Sequence, residues 1–298
     1  MSEVAVATVG VRRWADWVTL TKPRISLLAL FTVAAGYVLA VGRAQDLQLA
    51  QLWHVLLGAG LVASAGGVVN QLLERRYDAC MRRTQQRPLP AGRISPRLAA
   101  AYGATLLGMG LIWLWATTTA IATLIAVATF ALYVGVYTPL KRLSAWNTLV
   151  GAIPGALPPL IGWYAVPQTQ DWLSAVGLFA ILFFWQIPHF MAIAWRYRQE
   201  YAAAGFRMLP NNDPAGRRTA AVSLLSCAVL LVSGVALAWH VHSVWVLWGA
   251  LLAGLWFLGS ALRFAWRRCD DRARGLLHGS LLYVPVVYGF LVLDVLLR

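Results

Sequence analysis

The chain has 298 residues, 60% of them hydrophobic and 12% charged, with a mean hydropathy of +0.65. A soluble globular domain has no use for that much apolar surface, so the composition excludes the soluble classes and selects an integral membrane protein. The formal net charge of +14 is read as membrane topology and contact with the anionic lipid bilayer, with no nucleic-acid partner.

The first 24 residues hold no apolar run long enough for a signal peptide, and Glu3 and Asp16 do not suit a transit peptide. Trp14 to Arg24 reads as an interfacial lead-in, with tryptophans at headgroup depth. Apolar stretches near the roughly 20 residues that cross a bilayer follow at 25–42, 50–72, 97–116, 119–138, 146–166, 172–195, 219–239, 243–262 and 276–297. They are expected as helices, because a lipid-exposed backbone must satisfy its own hydrogen bonds and the runs lack barrel alternation. The expectation is an all-α membrane protein of about nine transmembrane helices: an N-terminal segment 1–24, then a single transmembrane domain over 25–298.

Charge sets the orientation. Of the 25 Lys and Arg residues, 23 fall in the N-terminal segment, the 73–97 loop, Lys141 and Arg142, the 196–218 loop and the 263–274 loop, leaving Arg43 and Arg298 on the other side. The positive-inside rule therefore places the N-terminus and the large loops in the cytoplasm. Pro154, Pro158, Pro159, Pro188 and Pro285 interrupt the spans, which is tolerable where the freed carbonyls face protein or an internal cavity. Gly66 and Gly67, one turn before Asn70, allow close helix packing. Cys80, Cys227 and Cys269 suggest neither a disulfide nor a zinc site.

Asn70, Glu74 and Asp78 stand four residues apart where the second span meets an arginine-dense loop. That spacing brings three oxygen donors onto nearly one helical face. Hard oxygen donors beside cations suit magnesium and a phosphorylated substrate. Arg75, Arg82, Arg83 and Arg87 supply the cations, with Pro88 expected to end the helix and fix the approach of Arg87. The other reading of the same residues is a solvated loop whose acids pair with its own arginines.

Four segments carry a family resemblance: LTKPRIS (Leu20 to Ser26), NQLLERRYDACMRRTQQRPLPAG (Asn70 to Gly92), YTPLKRLSAWNTLVGAIPGALPPLIGW (Tyr137 to Trp163) and FFWQIPHFMAIAWRYRQEYAAAGFRMLP (Phe183 to Pro210). The chain resembles the UbiA superfamily of intramembrane prenyltransferases, and within it the branch that farnesylates haem. The resemblance implies a UbiA-type bundle around a central cavity, capped by catalytic cytoplasmic loops 73–97 and 196–218, in the bacterial plasma (inner) membrane. It implies farnesyl diphosphate and haem B as substrates, haem O as product, magnesium as cofactor, and haem A synthase or oxidase-assembly factors as candidate partners.

On that reading Asn70, Glu74 and Asp78 are metal ligands, with Arg87 and Lys141 beside the phosphates; Arg83, Arg75, Arg196, Arg198, Glu200, Tyr201 and His189 bind substrate. Glu74 departs from the superfamily's usual aspartate, and the second loop lacks the repeated aspartates of quinone-type members. That favours arginine contacts to phosphate over a second protein-held metal. His189 lies inside the sixth span after Pro188. A histidine there needs a partner, and the candidates are haem iron, a propionate, or the carbonyl that Pro188 frees. The competing functions are prenyl transfer to another aromatic or tetrapyrrole acceptor, and a haem-handling transporter or assembly factor.

Overall fold

A computed structural model describes residues 14–167, 169 and 171–298. Residues 1–13 of the expected N-terminal segment therefore lie outside the described residues, as do Gln168 and Gln170. The chain is a multi-pass α-helical membrane protein. A short helix, α1 (Trp14–Leu20), precedes α2 (Pro23–Val41), α3 (Leu49–Asp78), α4 (Pro96–Thr117) and α5 (Ala120–Ala131). A π-helical turn, Leu132–Tyr137, joins α5 to α6 (Thr138–Leu143), so that 120–143 forms one span. Then follow α7 (Asn147–Ala156), α8 (Pro158–Trp163), α9 (Trp172–Arg196), α10 (Arg198–Ala203), α11 (Arg217–His240), α12 (Val244–Trp266) and α13 (Asp270–Leu296).

Among the described residues, eight helical segments are long and apolar enough to cross a membrane. The expected span 146–166 is present as two short helices instead, α7 and α8, meeting at Leu157. Pro158 and Pro159 carry no N–H, so neither can bond the carbonyl four residues back. Backbone contact with α2 holds α8 in place. A Cβ on Gly36 would overlap the Pro159 carbonyl, and one on Gly162 would overlap the Val33 carbonyl. Two glycines thus let the two helices pack main chain against main chain.

The boundary between the second span and its loop differs from the sequence expectation. At about 1.5 Å per residue, the 30 residues of α3 reach well beyond a hydrocarbon core of about 30 Å. The helix runs through Asp78, so residues 73–78 are its last turns and not loop. Pro88 does not end a helix either. It opens a tight turn whose carbonyl accepts from the Arg93 and Ile94 backbone N–H groups.

The apolar core of the C-terminal helices is dense in aromatics, with Phe257, Phe264, Tyr283 and Tyr288 fully buried between α9, α11, α12 and α13. A second cluster joins α2, α3, α4, α5 and α8 through Val33, Val55, Leu114, Ala126 and Ile161. Both leave the ends of the spans to polar chemistry.

Candidate active site

The last turns of α3 carry Asn70, Glu74 and Asp78 inward, at 0%, 6% and 1% exposure. Burying two carboxylates is costly unless each meets a donor or a charge. Each does. Lys141 Nζ donates to Glu74 Oε1 at 2.7 Å, and Arg87 Nη1 donates to Asp78 Oδ2 at 2.7 Å. The acid–arginine pairing open to the sequence thus occurs for Asp78, but in a buried site and not a solvated one. Among the described residues no protein donor reaches Glu74 Oε2 or Asp78 Oδ1, so each carboxylate keeps one oxygen for a ligand.

Asn70 reveals residues that sequence reasoning passed over. Its Oδ1 accepts from Lys22 Nζ, and its Nδ2 donates to Thr138 Oγ1 at 2.9 Å. Lys22 precedes α2 with φ 53° and ψ 57°, a left-handed backbone that is unfavourable for a non-glycine residue. Such strain persists where the surroundings fix it. Here Gln71 Nε2 donates to the Thr19 and Leu20 carbonyls, and Gly67 leaves room for the Thr21 carbonyl. Burial pushes the Lys22 ammonium down to about 7, against the opposing pull of the Glu74 carboxylate. The lysine of the quoted LTKPRIS segment was the available signal, but it was read as topology.

Thr138 sits where the π-turn meets α6. Its N–H and Oγ1 both bond the Tyr133 carbonyl, five residues back. The ring of the following Pro139 would clash with the carbonyl four residues before it, and a widened turn relieves that clash. The same turn stacks Tyr133 on Tyr137, with centroids 5.8 Å apart, and places the Lys141 ammonium 4.6 Å from the Tyr137 centroid. Tyr133 and Tyr137 therefore wall the carboxylate face on one side.

The 196–218 loop reaches the same end of the bundle. Arg83 Nη2 donates to Tyr201 Oη at 3.1 Å, and Tyr77 meets Phe206 edge-on at 5.8 Å. The Arg207 N–H donates to the Lys141 carbonyl at 2.7 Å, and Asn147 Nδ2 donates to the Arg207 carbonyl at 2.7 Å. The residue that holds Glu74 is thereby tied to the second loop through its own backbone.

The other expected residues are more peripheral. Arg75 bonds the Leu72 carbonyl of its own helix and does not join the cluster. Arg198 pairs with Asp270 at 2.8 Å, and Arg196 lies 5.7 Å from the Tyr197 ring centroid. Both line a small cavity of about 130 Å³ with Glu200, whose Oε2 is buried without a hydrogen-bond partner. A second concavity of about 440 Å³, lined by Tyr37, Gln48, Gln51 and Thr117, opens at the opposite end and contains none of the expected site residues. His189 stands apart on α9. Its Nδ1 meets Ser280 Oγ at 2.8 Å, so the carbonyl freed by Pro188 is not its partner.

Among the described residues, no three His, Cys, Asp or Glu side chains converge as a metal cage. Two carboxylates and one amide oxygen on a helix face nonetheless fit magnesium, which binds through one or two carboxylates and completes its shell with substrate phosphate and water. With Lys22 protonated, as an incoming anion favours, Lys22, Arg87 and Lys141 against Glu74 and Asp78 leave about one net positive charge. An incoming diphosphate ester of charge about −3 and one magnesium ion would close that balance, because in a poorly hydrated site charge must be compensated locally. The arrangement is suited to holding a diphosphate and neutralising it as it leaves.

Residues 29–282 match the model of the UbiA prenyltransferase family. The chain is 42% identical to a protoheme IX farnesyltransferase of Solibacter usitatus over 94% of this chain and 98% of that one. It is 43% identical to one of Opitutus terrae, over 95% of each. Among solved structures, that of a digeranylgeranylglyceryl phosphate synthase superposes with a TM-score of 0.79 at 15% identity, covering 95% of this chain and 99% of that one. A UbiA homolog from Archaeoglobus fulgidus bound to GPP and Mg2+ gives 0.67 at 18% identity, covering 93% and 99%. The structural likenesses establish a shared fold.

Proposed function

Because the chain belongs to the UbiA prenyltransferase family, we propose that it transfers the farnesyl group of farnesyl diphosphate to a vinyl group of haem B, giving haem O and diphosphate. Full-length similarity to two protoheme IX farnesyltransferases supports the choice of donor and acceptor. The observation that carries the chemistry is the buried acidic face of α3 meeting Lys22, Arg87 and Lys141.

In this reading Glu74 and Asp78 hold magnesium through the oxygens left free of protein donors, and Asn70 offers the second lone pair of the Oδ1 that accepts from Lys22. Bound there, the metal supplies positive charge to the departing diphosphate. Lys141, Arg87 and Lys22 add to that charge directly, and Arg83 at the loop contact closes over the phosphates. The C1–O bond of the donor breaks, the electron pair leaving with diphosphate, and the terminal carbon of the haem vinyl group bonds to C1. Water adds at the neighbouring carbon and loses one proton, leaving a hydroxyl. Tyr133 and Tyr137 present aromatic faces beside the site, and such faces favour a nearby cation. In this reading the site faces the cytoplasm, which the distribution of Lys and Arg supports, and the membrane is the bacterial inner membrane that the family resemblance implies.

The test is turnover by the purified protein in lipid, given farnesyl diphosphate, magnesium and either haem B or 4-hydroxybenzoate, with products resolved by mass spectrometry. A hydroxyethylfarnesyl haem that is absent after EDTA treatment is the expected product. Prenylation of the benzoate with haem returned intact would refute the acceptor. No prenylation of either by a folded protein would refute transferase activity and move the transport reading forward.

A further inference from the structure

The polar contacts of His189 fix the state of its ring. Ser280 Oγ lies 2.5 Å from the Leu277 carbonyl and 2.8 Å from His189 Nδ1. A carbonyl oxygen only accepts, and a serine hydroxyl has one proton, so that proton lies on the contact with Leu277. The bond to His189 must then run from Nδ1–H to Ser280 Oγ. The neutral imidazole is thereby held as the Nδ1–H tautomer, with a bare lone pair on Nε2.

The ring is also fixed in space. The Trp185 indole stacks on it, with centroids 5.1 Å apart and planes at 21°, and Phe190 meets it edge-on at 5.5 Å. Trp185 Nε1 donates to the Ser280 carbonyl at 2.6 Å. One tryptophan therefore pins both the imidazole plane and the turn of α13 that carries its partner. Ser280 is fully buried and Trp185 is 5% exposed, whereas His189 is only half-buried. Among the described residues no protein group bonds Nε2, and that atom is not enclosed without a partner. One nitrogen is tied and oriented while the other is left open. Metal-binding histidines have this arrangement, their second nitrogen donating to a fixed acceptor that sets tautomer and direction.

We propose that His189 Nε2 ligates the iron of the haem substrate, and that Ser280 and Trp185 are the positioning residues that aim it. The inference rests on the reading of haem B as acceptor. It adds how the porphyrin is held while its vinyl group reacts: a fixed iron position restricts the vinyl group to a few orientations, and correct placement of reactants lowers the barrier.

The test uses the full chain in lipid nanodiscs with ferrous haem B, following the iron–histidine band by resonance Raman and affinity by absorption titration. Wild-type protein is expected to bind haem with that band. His189→Gly should lose the band, and added imidazole should restore it. Ser280→Ala should shift the band and weaken haem binding by about tenfold, the usual scale for removing the partner of a metal-bound histidine. Ser280→Thr, which keeps the hydroxyl, should stay close to wild type. Binding of farnesyl diphosphate with magnesium, measured by calorimetry, should be unchanged in all three and reports folding.

An unaltered band and affinity in His189→Gly would overturn the proposal, as would wild-type haem bound without an iron–histidine band; both leave haem as acceptor intact. Normal iron ligation with slowed transfer in His189→Gly would assign the residue to proton transfer and likewise overturn it. Wild-type protein that takes up no haem but binds farnesyl diphosphate would refute the acceptor reading itself.

Discussion

The Lys141 ammonium lies 2.7 Å from Glu74 Oε1, joining two residues 67 positions apart in the chain. Their side chains are 16% and 8% exposed, so this pair is not a surface ornament. Removing one partner of a buried pair costs roughly 3–5 kcal/mol, because the remaining charge is uncompensated, whereas removing both costs much less. Lys141→Met and Glu74→Gln singly should lower the unfolding temperature, and the double variant should recover most of it. None of the three should transfer a farnesyl group. Thermal denaturation in detergent and a turnover assay together separate the structural role of the pair from the catalytic one.

Lys22 provides a second test, since its ammonium is placed by backbone well outside the acidic helix. Lys22→Met should weaken farnesyl diphosphate binding by about tenfold or more, as expected for one charge-assisted hydrogen bond of about 1.5–3 kcal/mol. Haem affinity should not move. Lys22→Arg should not rescue the donor site, because the slot between Asn70 Oδ1 and Tyr133 Oη accepts a compact ammonium and not a planar guanidinium. Calorimetric titration with the donor measures both outcomes.

Adjacent glycines on α3 should behave differently. A Cβ at Gly67 would stand 2.9 Å from the Thr21 carbonyl, pressing on the turn that presents Lys22. At Gly66 the added carbon meets the Tyr133 ring at 3.4 Å and the Phe130 ring at 3.9 Å, ordinary contacts. Gly67→Ala should cost about 1–3 kcal/mol of overpacking strain and raise the KM for the donor. Gly66→Ala should leave stability and KM near wild type.

At the far end, Asp171 caps α9: its Oδ1 accepts from the Ser174 N–H at 3.2 Å, and both carboxylate oxygens meet His240 Nε2 at about 3 Å. Asp171→Ala should cost about 1 kcal/mol of stability, the usual scale for losing a helix cap. Turnover measured below the melting temperature should be unchanged, because the described partners of Asp171, Ser174 and His240, do not touch the acidic face.

Much of this was legible in the sequence. Hydropathy located the spans, and a spacing of four identified Asn70, Glu74 and Asp78 as one helical face, because both signals depend on neighbours in sequence. The segment 146–166 was expected as one span, but its helix is interrupted at Leu157. The prolines marked a break there but could not give its consequence, which depends on backbone contact with α2. Lys22 was seen and misjudged: nothing local shows that a left-handed residue before a proline will reach Asn70, 48 positions away. Ser280 was invisible for the same reason, lying 91 positions from His189 with nothing local to pair the two.

The most direct test of the account is the single-turnover rate of farnesyl transfer by Asp78→Asn at saturating magnesium, donor and haem. That substitution keeps shape and removes one carboxylate from the acidic face. Loss of electrostatic stabilisation of this kind costs about a hundredfold or more, so the expected result is a fall of at least that size with the haem spectrum unaltered. A rate within a few-fold of wild type would show that the donor is ionised without the acidic face of α3.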